Sequence, residues 1–265
     1  VKIISNDLTQ LSNSDFIIVF AEPLFLNEAV LKALNPNATI YYLCCMDYKD
    51  KAMQAFNYIK YEVGCEEGIC ALLLEYFVKN PTANLEAYIK DLDIGYLSAE
   101  TNIGEEELEQ MAAEAKNAQN ASIFIANSCL QHQKSQTLMN LLSALYAHSF
   151  FSLVAQNLSQ EQIKKLESFD DTPLETIEEL EAFNGLGIYL NQNTPQDKLI
   201  SSELFLKVAK VSENDFVNIS YENTTVKKQI KLDTKLQGTV GLCFENSPHL
   251  NSTYKQVKIE KVDAQ

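Results

Sequence analysis

Arginine is missing from this chain. All 21 cations among its 265 residues are lysines, set against 36 Asp and Glu, so the formal net charge is −15. Planar, bidentate clamps on phosphate or on guanine edges are usually built from arginine, and a strongly negative chain repels a polyanion. No nucleic acid is therefore expected as a partner. Tryptophan is absent as well, and glycine (8), proline (6) and histidine (3) are scarce. No run of about 18 uninterrupted apolar residues occurs, which excludes a transmembrane helix, and the N-terminus lacks the basic-then-apolar layout of a secretory signal. Direct membrane insertion is not expected, and the chain is read as cytoplasmic. It begins at Val1, which is read as a processed chain or an excised fragment.

What is present describes an ordinary globular protein. At 46% hydrophobic and 22% charged residues, the length suffices for one large domain or two smaller ones. The six cysteines, Cys44, Cys45, Cys65, Cys70, Cys129 and Cys243, lie in apolar surroundings and read as buried thiols. Their spacing supplies neither a zinc set nor an iron–sulfur cluster, so no metal ligands are assigned.

Short apolar runs alternate with helical patterns over the first two thirds. Phe16–Phe20, Thr39–Cys44, Ser122–Ala126 and Phe151–Ala155 lack strict alternation, as strands covered on both faces do. Between them, Leu108, Met111, Ala112 and Ala115 mark a helix over 105–117, Leu138, Leu141, Leu142 and Leu145 mark one over 135–148, and 67–78 is apolar almost all round. This order predicts an α/β fold with a doubly wound, mostly parallel sheet over residues 1–168. Residues 169–199, with Asp170-Asp171-Thr172-Pro173 and an acidic stretch, read as a connector carrying one short helix and one strand, Ile188–Leu190. Residues 200–265 open with a helix over 202–208 and continue as strands, 216–221 and 226–232 joined at Glu222–Thr225, then 239–243 and 254–262, which read as a small β-barrel. Charge follows the same division. Residues 1–200 hold 12 lysines against 28 acids, whereas 201–265 hold 9 against 8.

Few residues offer chemistry. The first strand-to-helix turn, Ala21-Glu22-Pro23-Leu24-Phe25, has no glycine and adds a carboxylate, so it cannot cradle a phosphate as a dinucleotide fold requires. No Gly-Lys-Ser/Thr run and no Gly-x-Ser-x-Gly elbow exists, and no catalytic residue is assigned. His132 falls at the carboxyl edge of the sheet, where either a capping role or a ligand contact is open. His148 closes a helix C-terminus as a cation would, and His249 sits in a loop. Glu66 and Glu67 start an apolar helix, either as ordinary first-turn acids or as hydrogen-bond partners of a ligand. Glu105, Glu106, Glu107 and Glu109 read as a solvated helix face.

In order along the chain, these segments resemble the molybdopterin oxidoreductase (dimethyl-sulfoxide-reductase-like) superfamily: its third domain, then its C-terminal dinucleotide-binding barrel. Leu11–Val19 resembles the strand before the family's G-x-N-P turn, and Thr39–Asp47 the next strand. Val63-Gly64-Cys65-Glu66 stands at the family's P-G-T-D, Cys129-Leu130-Gln131-His132 at its G-x-T-Q-H, and Ser212-Glu213-Asn214-Asp215-Phe216-Val217-Asn218-Ile219 through Gly238-Thr239-Val240-Gly241-Leu242 is similar to the barrel's G-D-x-V-x-V and G-x-V. The resemblance implies that Glu66, Gln131 and His132 are what is left of a cofactor-binding set. It also implies that the site is degenerate, since Glu66 replaces the guanine-recognising aspartate, the G-x-N-P turn is Ala21-Glu22-Pro23, and the D-P-R that follows the second strand is missing. No cofactor is expected in this chain.

A branch of the superfamily shows this loss, the large iron–sulfur subunit of the proton-pumping NADH:quinone oxidoreductase (respiratory complex I), with its clusters in N-terminal domains. By that resemblance the chain is a catalytically silent C-terminal scaffold portion. Its partners would be other subunits of a respiratory complex's peripheral arm, on the cytoplasmic face of the membrane. Two alternatives stand beside it: a cofactor-binding fragment of a true molybdopterin enzyme such as a formate dehydrogenase-like chain, and a free-standing α/β protein binding a small ligand.

Overall fold

The computed structural model describes residues 2–130, 132–180, 182–245 and 253–262. The chain divides into two units. Unit 1 comprises residues 1–45 and 54–181, and unit 2 comprises residues 46–53 and 182–265.

Unit 1 is an α/β layered domain. Its strands are β1 (Ile4–Ser5), β2 (Phe16–Phe20), β3 (Thr39–Leu43), β4 (Asn57–Ile59), β5 (Ala121–Ile125) and β6 (Ser152–Ala155). They form a sheet of order β1-β6-β5-β2-β3-β4 in which every pairing is parallel. The continuous apolar runs follow from this arrangement: every residue of β2, β5 and β6 is buried, because helices cover both faces. The helices are α1 (Thr9–Ser12), α2 (Glu28–Ala33), α3 (Glu66–Phe77), α4 (Ala83–Lys90), α5 (Ile94–Thr101), α6 (Glu105–Ala115), α7 (Asn127–Leu130), α8 (Ser135–His148) and α9 (Gln160–Glu167). The path β2–α2–β3 runs one way across the sheet and β5–α8–β6 runs the other way. With right-handed crossovers, that reversal sets α2 and α8 on opposite faces and places the switch point between β2 and β5.

Unit 2 is a barrel-like sheet built from β7 (Gly187–Asn191), β8 (Lys198–Ser201), β9 (Phe216–Tyr221), β10 (Thr224–Leu232), β11 (Val240–Phe244), β12 (Tyr254–Gln256) and β13 (Lys258–Lys261), in the order β12-β7-β11-β8-β10-β9-β13. The two ends of that order are one continuous stretch of chain. β12 pairs with β7, β13 pairs with β9, and only Val257 separates them. That stretch nearly closes the sheet, and closure removes the open edges. Strand β9 alternates buried Val217, Ile219 and Tyr221 with outward residues, and Ile188, Leu190, Leu199 and Ile230 meet them inside. Helix α10 (Glu203–Ala209), capped by the Ser202 hydroxyl, adds Phe205 to that core. Gly241 is required there: a Cβ would lie 3.0 Å from Leu199 and 3.1 Å from the Ile200 carbonyl oxygen.

The structure differs from the sequence reading at several places. β7 and the start of β8 fall within residues 169–199, which the sequence assigns to a connector; both strands belong to the barrel sheet. Among the described residues of that stretch the expected short helix is not seen, and residues 170–180 carry no regular helix. Like charges at helical spacing, at 175, 178 and 179, disfavour a helix there, and Leu180 is buried instead. The hairpin turn is tighter than expected, with only Glu222 and Asn223 between the strands. Residues 46–53 join the barrel unit through the Tyr48–Leu236 bridge and the bonds of Lys49 N–H to Lys235 O and Gln237 N–H to Asp47 O.

Candidate functional site at the carboxyl edge of the parallel sheet

In an open parallel sheet the strand C-termini at the switch point hold the ligand crevice. Here that edge is set by the ends of β2 and β5. Ala21, next after β2, has φ 64°, a left-handed conformation rare for a residue with a Cβ. It is held by Ala21 N–H donating to Leu43 O (2.9 Å) and by the Ser128 hydroxyl donating to Ala21 O (3.4 Å). The turn directs Glu22 inward, where it is 9% exposed. Asn27 Nδ2 donates to Glu22 Oε1 (2.9 Å) and to Gln156 Oε1 (2.8 Å), while Asn27 Oδ1 caps α2. One side chain thus ties the segments after β2 and β6 together. Burial raises the Glu22 pKa, and the Asn27 bond opposes that rise.

The second part of the site is the first turn of α3. Glu66 and Glu67 are 2% and 4% exposed, although both are carboxylates. The open N–H groups of the helix start favour negative charge, and neighbouring side chains hold each acid. The buried Tyr61 hydroxyl donates to Glu66 Oε1 (2.9 Å), and Lys134 Nζ pairs with Glu67 Oε2 (2.6 Å). His132 faces Glu66, its Nε2 lying 3.6 Å from Oε2. The Lys134 backbone N–H donates to His132 Nδ1 (3.0 Å), so the neutral ring carries its proton on Nε2. Burial first, and the Lys134 charge second, push the His132 pKa down to about 4. At neutral pH the contact is therefore a long N–H···O approach and not an ion pair.

The two parts meet at Cys129. Its buried thiol is raised well above the ordinary value by burial first and then by the charges of Glu66, Cys70 and Glu22. All six cysteines are free and buried, as expected of structural thiols. Among the described residues no group of three or more His, Cys, Asp or Glu is arranged to hold a metal ion.

Of the residues singled out in the sequence, Glu66 and His132 do come together, while Gln131 lies outside the described residues, as does His249. Their partners Tyr61 and Lys134 and the burial of Glu22 were not legible as a site. The available signals were the carboxylate in a turn that usually carries glycine, and a lysine two residues after a histidine. Glu105, Glu106, Glu107 and Glu109 lie exposed along α6, as a solvated face should. His148 ends α8, where its Nδ1 lies 3.1 Å from Asn80 O.

These residues do not fit a pterin dinucleotide. Such a ligand brings phosphates, and the edge presents three buried carboxylates, with the Lys134 ammonium already engaged by Glu67. Anion binding would demand that this pair be broken and would set the anion beside the buried Glu67 carboxylate.

No protein-family model and no curated protein matches the chain. Among solved structures it is similar to acetylene hydratase from Pelobacter acetylenicus. The match has a TM-score of 0.56, covers 95% of this chain and 78% of that one, and carries 6% sequence identity. At that identity the likeness is one of fold. No helix among the described residues is long and apolar enough to cross a membrane.

Proposed function

We propose that this chain is a catalytically silent scaffold piece of an oxidoreductase, the C-terminal portion of the large iron–sulfur subunit of an NADH:quinone oxidoreductase. One observation carries the reading: at the edge where the fold places its ligand, Glu22, Glu66 and Glu67 are buried and held by Asn27, Tyr61 and Lys134. The edge is packed as a structural joint and its charge is wrong for an anionic cofactor. The fold shared with acetylene hydratase supports the α/β-plus-barrel architecture that this reading requires. The resemblance of the sequence motifs supports the respiratory branch.

In this role the protein offers surfaces to neighbouring subunits of a peripheral arm on the cytoplasmic face of the membrane. Unit 1 holds 9 lysines against 25 acids, so a basic neighbour suits it. Two measurements test the reading. Purified protein should contain no stoichiometric molybdenum, iron or pterin by elemental and fluorescence assay, and about one equivalent of any of them sinks it. The coding sequence should run on upstream into cysteine clusters of iron–sulfur type, and a frame limited to these 265 residues sinks the respiratory assignment.

A further inference from the structure

A concave site lies in unit 1, away from the sheet edge. A cleft of about 340 Å³ opens between the polar face of α8 and residues 165–174, which leave α9 and run on without regular structure. Its size falls within the range of small-ligand pockets. The segment is tethered along its length. The Thr82 hydroxyl and Asn84 Nδ2 bond Asp171, and the Thr137 hydroxyl donates to Glu175 Oε2 (3.0 Å). Asp171 itself takes a left-handed backbone (φ 56°) to make the bend. At the floor the Ser143 hydroxyl, 3% exposed, donates to Leu166 O (3.0 Å) and fixes the end of α9 against α8. The cleft is thus the space left under a strap that is pinned on both sides.

Its lining has hydrogen-bonding capacity to spare and almost no net charge. Gln136 and Asn140, one turn apart on α8, bond each other once at 3.3 Å and leave the rest of both carboxamides available. Lys165 is half-buried; burial pulls its pKa down and the nearby Glu161 charge opposes that fall, yet no ion pair of the described residues engages its ammonium, which leaves it free for a ligand carboxylate. Asp170 stands on the exposed rim with Oδ1 taken by Thr172. One cation, one anion and two carboxamides around a small polar cavity match a ligand that carries both charges and a polar side chain. A phosphorylated ligand would find one ammonium and an opposing carboxylate, and an apolar one would strand these polar groups.

We propose that this cleft binds a free polar α-amino acid, its carboxylate on Lys165, its ammonium on Asp170 and its side chain on Gln136 and Asn140. The site is independent of the sheet edge and of the scaffold reading. L-Glutamine titrated into the full chain, followed by calorimetry and by saturation-transfer NMR, tests it. Saturable binding below about 10 mM is expected, weakened at least about tenfold in both Lys165→Met and Asp170→Asn, with unchanged melting temperatures showing that both variants fold. Absence of saturation overturns the proposal. So does equal affinity for acetate or glucose, or binding that survives both substitutions.

Discussion

If the carboxyl edge is a structural joint, then Tyr61→Phe is the substitution that exposes it. The Tyr61 ring is 1% exposed and packs at a tilt against Phe20, centroids 6.3 Å apart, so phenylalanine keeps the packing and removes a single hydroxyl. That hydroxyl donates to Glu66 Oε1 at 2.9 Å, and Glu66 is 2% exposed. A hydrogen bond to a charged group contributes roughly 1.5–3 kcal/mol, because the acceptor left behind cannot recover water. With a urea slope of about 2 kcal/mol per molar, the midpoint of unit 1 should fall by about 1 M with no change of slope. Replacing the acceptor too, in Tyr61→Phe/Glu66→Leu, removes the buried charge along with its donor and should recover most of the loss. Urea titrations followed by far-ultraviolet circular dichroism read both. A loss below about 0.5 kcal/mol for Tyr61→Phe, or a double variant no better than the single, refutes the idea that this edge is held by internal bonding.

The remaining predictions concern the other elements of the fold. Glu22 has a pKa raised above its ordinary 4.5 by burial, so the folded state binds that proton more tightly, and the stability this confers is lost as pH rises through the folded value. Glu22→Gln should therefore gain on the parent at neutral pH and converge with it near about pH 4; parallel midpoint–pH curves would falsify this. Gly68→Ala brings a methyl to 2.7 Å from Leu180 and 3.0 Å from Thr101. Overpacking of about 1–3 kcal/mol should outweigh about 1 kcal/mol of helix propensity, and in a Leu180→Ala background the sign should reverse by the same unfolding assay. Val257→Pro deletes the N–H that bonds Leu186 O at 2.9 Å where β12 passes into β13. It should cost about 2–3 kcal/mol and speed amide exchange in β7 and β9 while leaving β2 and β5 protected. Uniform exchange across both sheets would contradict the closure role.

Much of the architecture was legible because burial on two faces writes itself into sequence. Phe16-Ile17-Ile18-Val19-Phe20 has no polar residue to place toward water, so it reads as a covered strand, and Leu138, Leu141, Leu142 and Leu145 can share only a helical face. The barrel strands read less well. β7 stands beside acidic, turn-rich sequence, and its buried Ile188 and Leu190 gain meaning only from pairing with β11 and β12. Residues 46–53 carry no local sign that they belong with residues 182–265. That assignment rests on the backbone bonds of Lys49 to Lys235 and of Asp47 to Gln237, made across more than half the chain.

By itself, the sequence determined the fold class and the covered strands and apolar helices at its centre, since periodicity is local; the short strands β1, β4 and β8 left no such signal. It also determined the charge balance, and with it the expectation that a polyanion is not a partner. The absence of arginine needed no structure to be informative. Only the tertiary structure decided the state of the acids. Glu66 and Glu67 look like common first-turn residues until Tyr61, His132 and Lys134 are seen closing over them, and Glu22 looks like a solvated turn residue until Asn27 draws it inward. Whether a carboxylate is solvated, paired or protonated depends on neighbours brought from distant segments, and that information is not local.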